Sequence, residues 1–266
     1  PTRRPATVEW PTIGLAIAIY TSFFTLTWWH AVLPWYVLMP LGAYIVAWHS
    51  SLLHELVHGH PTRNRRLNSL IGGLPLIVWL PFEVYRTQHL QHHQDANLTD
   101  PLDDPESYYV TPNRWRRLPE WRRRLLSLRN TLVGRLTIGS VLVVAEFLWK
   151  QLQALRDDAP GVRRAWAVHA LGLGALVAWL LLIELPLWQS LLLIVWPATA
   201  LVLVRSFLEH QATPEVEHRK VIVEAGPLMR LLFLNNNLHI VHHAKPALPW
   251  YELPAAYAAD RAGWHA

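Results

Sequence analysis

Four long stretches of this chain carry no charged side chain, and they limit its fold more than any other feature. Thr12 to Leu33 runs 22 residues without a charge, enough α-helix to cross the roughly 30 Å hydrocarbon core of a bilayer. Trp35–Leu53, Ala165–Ile183 and Leu187–Val204 are comparable runs, the last with Pro197 as a kink. In lipid a segment must pair all its own backbone polar groups, so these runs are expected as helices. Short breaks at Pro34 and Trp35, and at Glu184, Pro186 and Trp188, join them in pairs. The expectation is an all-α integral membrane protein with four transmembrane helices arranged as two hairpins. A signal peptide is the rival reading of the first run, because Arg3 and Arg4 precede it. The run is too long for a signal core and lacks a small-residue cleavage site, so it is read as a retained helix.

Shorter apolar runs read differently. Leu67–Phe82 is only 16 residues and is broken by Gly72, Gly73, Pro75 and Pro81, which suits a re-entrant or interfacial segment. Leu136–Trp149 is 14 residues and contains Glu146, so it is expected as an interfacial helix. Arg114–Arg129, basic with Trp115 and Trp121 between, suits a helix on an anionic surface. None of the 24 Lys and Arg falls in the two expected outer loops near residues 31–35 and 184–188. By the positive-inside rule the other side is cytoplasmic, in the inner or plasma membrane. A net charge of +5 at 52% hydrophobic content points to membrane lipid and not to nucleic acid. The absence of cysteine excludes disulfides, thiolate metal sites and cysteine-held iron–sulfur clusters. Residues 1–266 read as a single domain. The 15 Trp are expected mostly as interface anchors.

Three histidine clusters follow apolar runs: His54-Glu-Leu-Val-His58, His89-Leu-Gln-His92-His93 and His239-Ile-Val-His242-His243. They hold eight of the chain's 15 histidines. On a helix, residues four apart lie about 40° apart and residues three apart about 60°, so each cluster projects its rings within an arc of about 100°. Imidazole binds iron, zinc, copper and nickel. Eight ligands exceed what one ion takes, so the count points to two metal ions. In the four-span arrangement all three clusters form a cytoplasmic histidine-rich cap.

The pattern His54-x3-His58, His89-x2-His92-His93 and His239-x2-His242-His243 resembles the histidine boxes of the membrane fatty-acid desaturase-like superfamily, which includes acyl desaturases, carotenoid ketolases and hydroxylases. The spacing between boxes fits over nearly the whole chain, and Pro249-Trp250-Tyr251-x-Leu253-Pro254 resembles the ending of ketolase-like members. The resemblance implies a di-iron centre held by histidine, and a further ligand at the end of the last span that matches His210. It implies oxidation of an unactivated C–H bond of a hydrophobic substrate with O2 as co-substrate. Loss of a second hydrogen gives a double bond; oxygen insertion gives an alcohol. Fatty-acid or acyl-chain desaturation is the first reading, with hydroxylation, ketolation or oxidative decarboxylation open. Two departures bear on the substrate. The first box reads His-Glu where many desaturases have His-Asp, and the third continues His243-Ala-Lys-Pro.

Glu55, Glu209 and Asp104 are expected to fix imidazole tautomers. Asn235, Asn236 and Asn237 stand one turn before the third box and are expected to orient a ligand or a bound water. His60 follows the first box as a further partner. His49 is a tunnel candidate, with Trp48, Trp79 and Phe207 as lining. His30 and His169 read as satisfied packing histidines, and His218 and His265 as surface. Electrons are expected from a separate donor of ferredoxin, rubredoxin or Rieske type, steered by the basic face. Two rivals stand beside the oxidase. His54-Glu55-x-x-His58 also satisfies the zinc-protease signature with Glu55 as base, and a metal carrier or sensor would hold exchangeable metal.

Overall fold

The computed structural model describes residues 8–264, so Arg3, Arg4 and His265 lie outside the described residues. It is all-helical, and among the described residues only two isolated β-bridges occur, His210 with Lys220 and Ile222 with Leu238. The helices are α1 Trp10–Trp28, α2 Trp35–Val57, α3 Arg65–Ile71, α4 Phe82–His92, α5 Pro112–Arg117 and α6 Glu120–Arg129. They continue with α7 Leu132–Arg156, α8 Val162–Leu182 and α9 Leu187–Glu209, then α10 Pro227–Leu232, α11 His239–Ala244, α12 Leu253–Ala259 and α13 Arg261–Trp264.

Five of these, α1, α2, α7, α8 and α9, are long and apolar enough to cross a membrane. Four match the expected spans. The two expected outer turns meet: His30 Nε2 donates to the Ile183 carbonyl at 2.9 Å, and Trp179 Nε1 donates to Thr27 Oγ1 at 3.1 Å. The hairpins α1–α2 and α8–α9 therefore close at one end of the bundle. α2 is the central helix, packing on α1 and α9 and burying Leu38, Val46, Leu52 and Leu56.

The fifth helix corrects the expectation of a short interfacial piece at 136–149. α7 is 25 residues long, because Arg135 and Glu146 interrupt the apolar run without ending the helix. Arg135 Nη1 donates to the Leu203 carbonyl at 2.9 Å, and its guanidinium covers the rings of Tyr108 and Phe207. Glu146 pairs with Arg129 at 3.6 Å and with Lys150 at 3.3 Å. α7 packs along α9 and near the start of α8: Arg135 donates to the Leu203 carbonyl, Trp196 Nε1 donates to the Thr137 carbonyl at 3.1 Å, and Gln151 accepts from Trp166 Nε1.

Residues 72–81 form the expected break, a non-helical dip between α3 and α4. Non-helical backbone is tolerated at membrane depth only where it is buried in protein. Leu76 and Ile77 are buried, Tyr20 Oη donates to the Ile71 carbonyl, and His169 Nε2 donates to the Val78 carbonyl. α8 approaches so closely at Gly172 that a Cβ there would stand 2.1 Å from the Gly73 carbonyl.

A second dip was hidden in the stretch expected to be mostly polar. α10 lies along α2: Tyr44 Oη donates to the Leu228 carbonyl at 3.0 Å, and Ser51 Oγ to the Leu232 carbonyl at 2.8 Å. Tyr44 stands roughly 15 Å below His54 along the α2 axis at 1.5 Å per residue. Leu228, Met229 and Leu231 are exposed there, an apolar face level with the middle of α2.

Candidate metal centre

The first box ends α2 by a hydrogen-bond pattern that requires Gly59. With Gly59 at φ +88°, the His60 N–H reaches the Glu55 carbonyl at 3.1 Å and the Gly59 N–H the Leu56 carbonyl at 3.4 Å, the Schellman arrangement. The helix thus stops at His58 with His54 and His58 one turn apart on one face. α4 ends in the second box, α11 carries the third, and His210 follows the last residue of α9.

Nine histidines converge, in two groups. One holds His54, His58, His89, His93 and His242; the other holds His92, His210, His239 and His243. Within each group the ring nitrogens all lie within 4.8 Å of one another. The spacing within each box placed its rings in one arc of about 100°. The structure instead splits the second and third boxes: residues four apart stay together (His89 with His93, His239 with His243), while the residue three along (His92, His242) crosses to the other group. Positions i+3 and i+4 stand about 100° apart on a helix, so an adjacent His-His pair naturally serves two centres. His93 and His243 stack at 4.2 Å between ring centroids and 15° between planes, linking the groups.

The donor geometry fits metal ions. Donors about 2.1 Å from an ion and at right angles stand roughly 3.0 Å apart. The Nε2 separations are 3.0 Å for His58–His89, 3.1 Å for His89–His93, 2.9 Å for His92–His210, 3.0 Å for His210–His239 and 3.1 Å for His239–His243. Protons give a second argument. His92 Nδ1 lies 3.0 Å from Asp104 Oδ1 and His239 Nδ1 3.2 Å from Asn236 Oδ1. In neutral rings, donating to those acceptors leaves both Nε2 atoms as lone pairs. Both aim at His210 Nε2, which has at most one proton to give, so at least one contact sets lone pair against lone pair. A cation resolves the conflict. In the other group, His54 Nε2 is buried with no hydrogen-bond partner among the described residues. Burial, reinforced by neighbouring imidazoles, holds His58, His89, His93, His210, His239 and His242 below the ordinary histidine range; they are neutral at pH 7, as metal ligation requires. His92 differs: burial pushes it down, but Glu106 and Asp104 outweigh burial and leave it raised.

The expected partners fall into distinct places. Asp104 is buried and accepts from the Thr99 and Glu106 N–H groups as well as from His92. Glu209 Oε1 accepts from Arg205 Nε at 2.8 Å and from Asn236 Nδ2 at 2.6 Å, so Glu209 acts on His239 through Asn236. Glu55 Oε1 is 3.5 Å from His54 Nδ1, and its Oε2 accepts from the Trp250 N–H at 3.0 Å, fastening the Pro-Trp-Tyr segment to the first box. Asn235 and Asn237 donate to the Trp250 and Val223 carbonyls and brace loops, touching no imidazole through those bonds. His60 pairs with Glu9 at 2.8 Å, away from the nine. His49 is fully buried beside Tyr20 Oη at 3.2 Å. An apolar groove of about 670 Å³ lies over Tyr20, between α1 and α3, lined by Ile17, Phe24, Leu70 and Leu74 among others. Trp48, Trp79 and Phe207 do not line it: Trp48 packs near Phe233, Trp79 donates to Thr199, and Phe207 lies under Arg135. Sequence reasoning missed two residues. Glu106 accepts from His89 Nδ1 at 2.9 Å; buried Arg205 carries no signal beyond its place beside Glu209.

These features define an integral membrane protein with two histidine groups at the ends of its long helices. The fatty acid desaturase family model matches residues 26–266, and the chain belongs to that family, which makes it an oxidoreductase. It is 22% identical to an sn-1 oleoyl-lipid 12-desaturase of Picosynechococcus sp., over 96% of this chain and 77% of the relative. It is 25% identical to the chloroplastic omega-6 fatty acid desaturase of Spinacia oleracea, over 97% of this chain and 60% of that protein. It is 24% identical to the zeaxanthin 4-ketolase of Chlamydomonas reinhardtii, over 90% of this chain and 50% of the ketolase. The chain thus spans only half to three fifths of the last two.

Proposed function

We propose that this chain is an O2-dependent di-iron membrane oxidase that acts on C–H bonds of a lipid-like substrate, with acyl-chain desaturation as its first activity. The observation that carries the reading is the sorting of nine imidazoles into adjoining groups of five and four. His54, His58, His89, His93 and His242 would hold one iron, and His92, His210, His239 and His243 the other. Bound there, the iron pair supplies oxidising power from O2 and two external electrons. The chain's own part is positional. Asp104, Glu106 and Asn236 accept from the Nδ1 atoms of His92, His89 and His239 and keep their Nε2 atoms turned inward. Burial of most of the rings keeps bulk water from the reacting carbon.

Four crossings, one domain and a cytoplasmic site belong to this reading. His92 and His210 meet at 2.9 Å, so an even number of crossings separates them. α8 and α9 form a hairpin, which leaves α7 packed along α9 and the start of α8 without a net crossing. The distribution of Lys and Arg favours the cytoplasm for that side. Electrons come from a separate iron–sulfur or rubredoxin-type donor, attracted by the exposed arginines of α5 and α6.

Ketolation is the second reading, favoured by the likeness to the zeaxanthin ketolase over 90% of this chain. A zinc-protease role is disfavoured by Glu55. A general base must face the open side of the ion, whereas Glu55 sits behind His54 and is held by the Trp250 N–H. The test is mass spectrometry of lipids and pigments from cells with and without the protein, in air and without oxygen. Acyl species lighter by two hydrogens, formed only in air, support desaturation. Oxygenated pigments with unchanged acyl chains support ketolation. Unchanged lipids and pigments in aerated cells with a reducing donor would remove the oxidase reading.

A further inference from the structure

Glu106 stands between the two histidine groups, and its two oxygens do different things. Oε1 accepts from His89 Nδ1 at 2.9 Å, and Oε2 lies 4.0 Å from His92 Nε2. His89 belongs to the first group and His92 to the second, and the Nε2 of His92 is one of the converging ring nitrogens. We propose that Glu106 is the tenth metal ligand: an anionic oxygen donor to the second centre that also orients an imidazole of the first. The inference rests on the two-iron reading above and adds a donor of a different chemical class.

Three observations carry it. The first is distance. Oε2 lies 4.0 Å from His92 Nε2; it is not among the donors that stand within 4.8 Å of one another, and a turn of the outer torsion carries it toward the second group. The second is availability. Both oxygens of Asp104 are engaged, Oδ1 by His92 and the Glu106 N–H, Oδ2 by the Thr99 N–H. Glu209 Oε1 is committed to Arg205 and Asn236. Oε2 of Glu106 has no hydrogen bond among the described residues. The side chain is about one third exposed, so a change of its outer torsion displaces no packing. Its backbone is nevertheless fixed, because the Glu106 N–H donates to Asp104 Oδ1 at 2.9 Å. The third is count. The second group has four imidazoles against five in the first, and a carboxylate makes it five. The two centres then differ in kind, one with five neutral nitrogens and one with four nitrogens and an anionic oxygen.

The experiment uses the full chain, purified in detergent and loaded with 57Fe, as wild type, Glu106→Gln and Glu106→Asp. Iron per chain and the Mössbauer spectrum are recorded at rest. The glutamine amide oxygen still accepts from His89 Nδ1 but supplies no anionic oxygen. The expected result is that one of two quadrupole doublets shifts while the other is unchanged, with one iron retained at least tenfold more weakly. Glu106→Asp, which keeps the charge but shortens the reach, is expected to shift the same doublet and serves if the glutamine variant does not fold. Two unchanged doublets in a folded variant would overturn the proposal and leave Glu106 as an orienting residue only. Equal shifts of both doublets would also overturn it. A wild type without two irons would instead sink the two-iron reading.

Discussion

His242 and His243 are neighbours in sequence, yet the structure assigns them to different centres, and this separates the consequences of removing each. His243→Ala leaves the second group with His92, His210 and His239, three imidazoles; His242→Ala leaves the first group with four. Loss of a residue that merely orients a ligand costs 10- to 100-fold in metal affinity, so loss of a ligand is expected to cost at least about 100-fold, or about 2.7 kcal/mol. Four imidazoles still satisfy a tetrahedral site, whereas three reach four donors only with the carboxylate of Glu106, which is about one third exposed and leaves the site open to a chelator. After dialysis against a mild chelator, His243→Ala is expected to keep about one iron per chain, and His242→Ala about two, one of them weakened. The assay is iron by mass spectrometry on monodisperse protein, with 57Fe Mössbauer spectra to identify which site is altered. The two variants should perturb different quadrupole doublets. If both variants perturbed the same doublet, or lost both irons together while folded, the alternating assignment of the His-His pairs would be wrong.

Other outcomes follow from single contacts. Asp104→Ala removes an acceptor that binds two backbone N–H groups and His92; leaving those donors buried should cost about 2–4 kcal/mol and at least tenfold in retention of one iron, read by thermal unfolding in detergent and by metal titration. Gly172→Val places side-chain atoms against the Gly73 carbonyl, with an expected loss of about 2–3 kcal/mol from overpacking against backbone, whereas Gly174→Ala, with open space at its Cβ, should be nearly neutral in the same melt. Burial pushes the Glu83 carboxyl up, but Ser69, Arg65 and Arg86 outweigh burial and hold it below its usual range. A depressed folded pKa gives stability that is present above the unfolded value and lost as pH falls through the folded one. Glu83→Gln should therefore cost about 1 kcal/mol at pH 7 and progressively less on acidification; an equal loss at every pH would remove the ion-pair explanation.

Much of this architecture is legible in the chain. Four of the five long apolar helices are set by lengths of uncharged sequence, and the three boxes by histidine spacing. The dip at 72–81 is written in Gly72, Gly73, Pro75 and Pro81. What was not legible has physical causes. α7 was cut short because Glu146 reads as a terminator, and the partner that neutralises it, Arg129, is known only from tertiary contact. The descent of α10 along α2 depends on Tyr44 and Ser51 accommodating two carbonyls nearly two hundred residues away. The division of each His-x-x-His-His box between two centres follows from the 100° step of a helix once two centres lie side by side, but spacing alone does not say that they do. Choosing Glu106 over Asp100, Asp103 or Asp104 as the partner of His89 required the loop's fold. His60 sits beside the first box in sequence, yet its charge partner is Glu9 at the start of α1.

The central claim is that two irons sit among nine converging imidazoles. The most direct measurement is the metal content of the purified protein, expressed with ample iron and zinc, with iron and zinc quantified in the same sample. About two irons per chain and little zinc are expected. One zinc per chain, or metal that washes out entirely from folded protein, would contradict it.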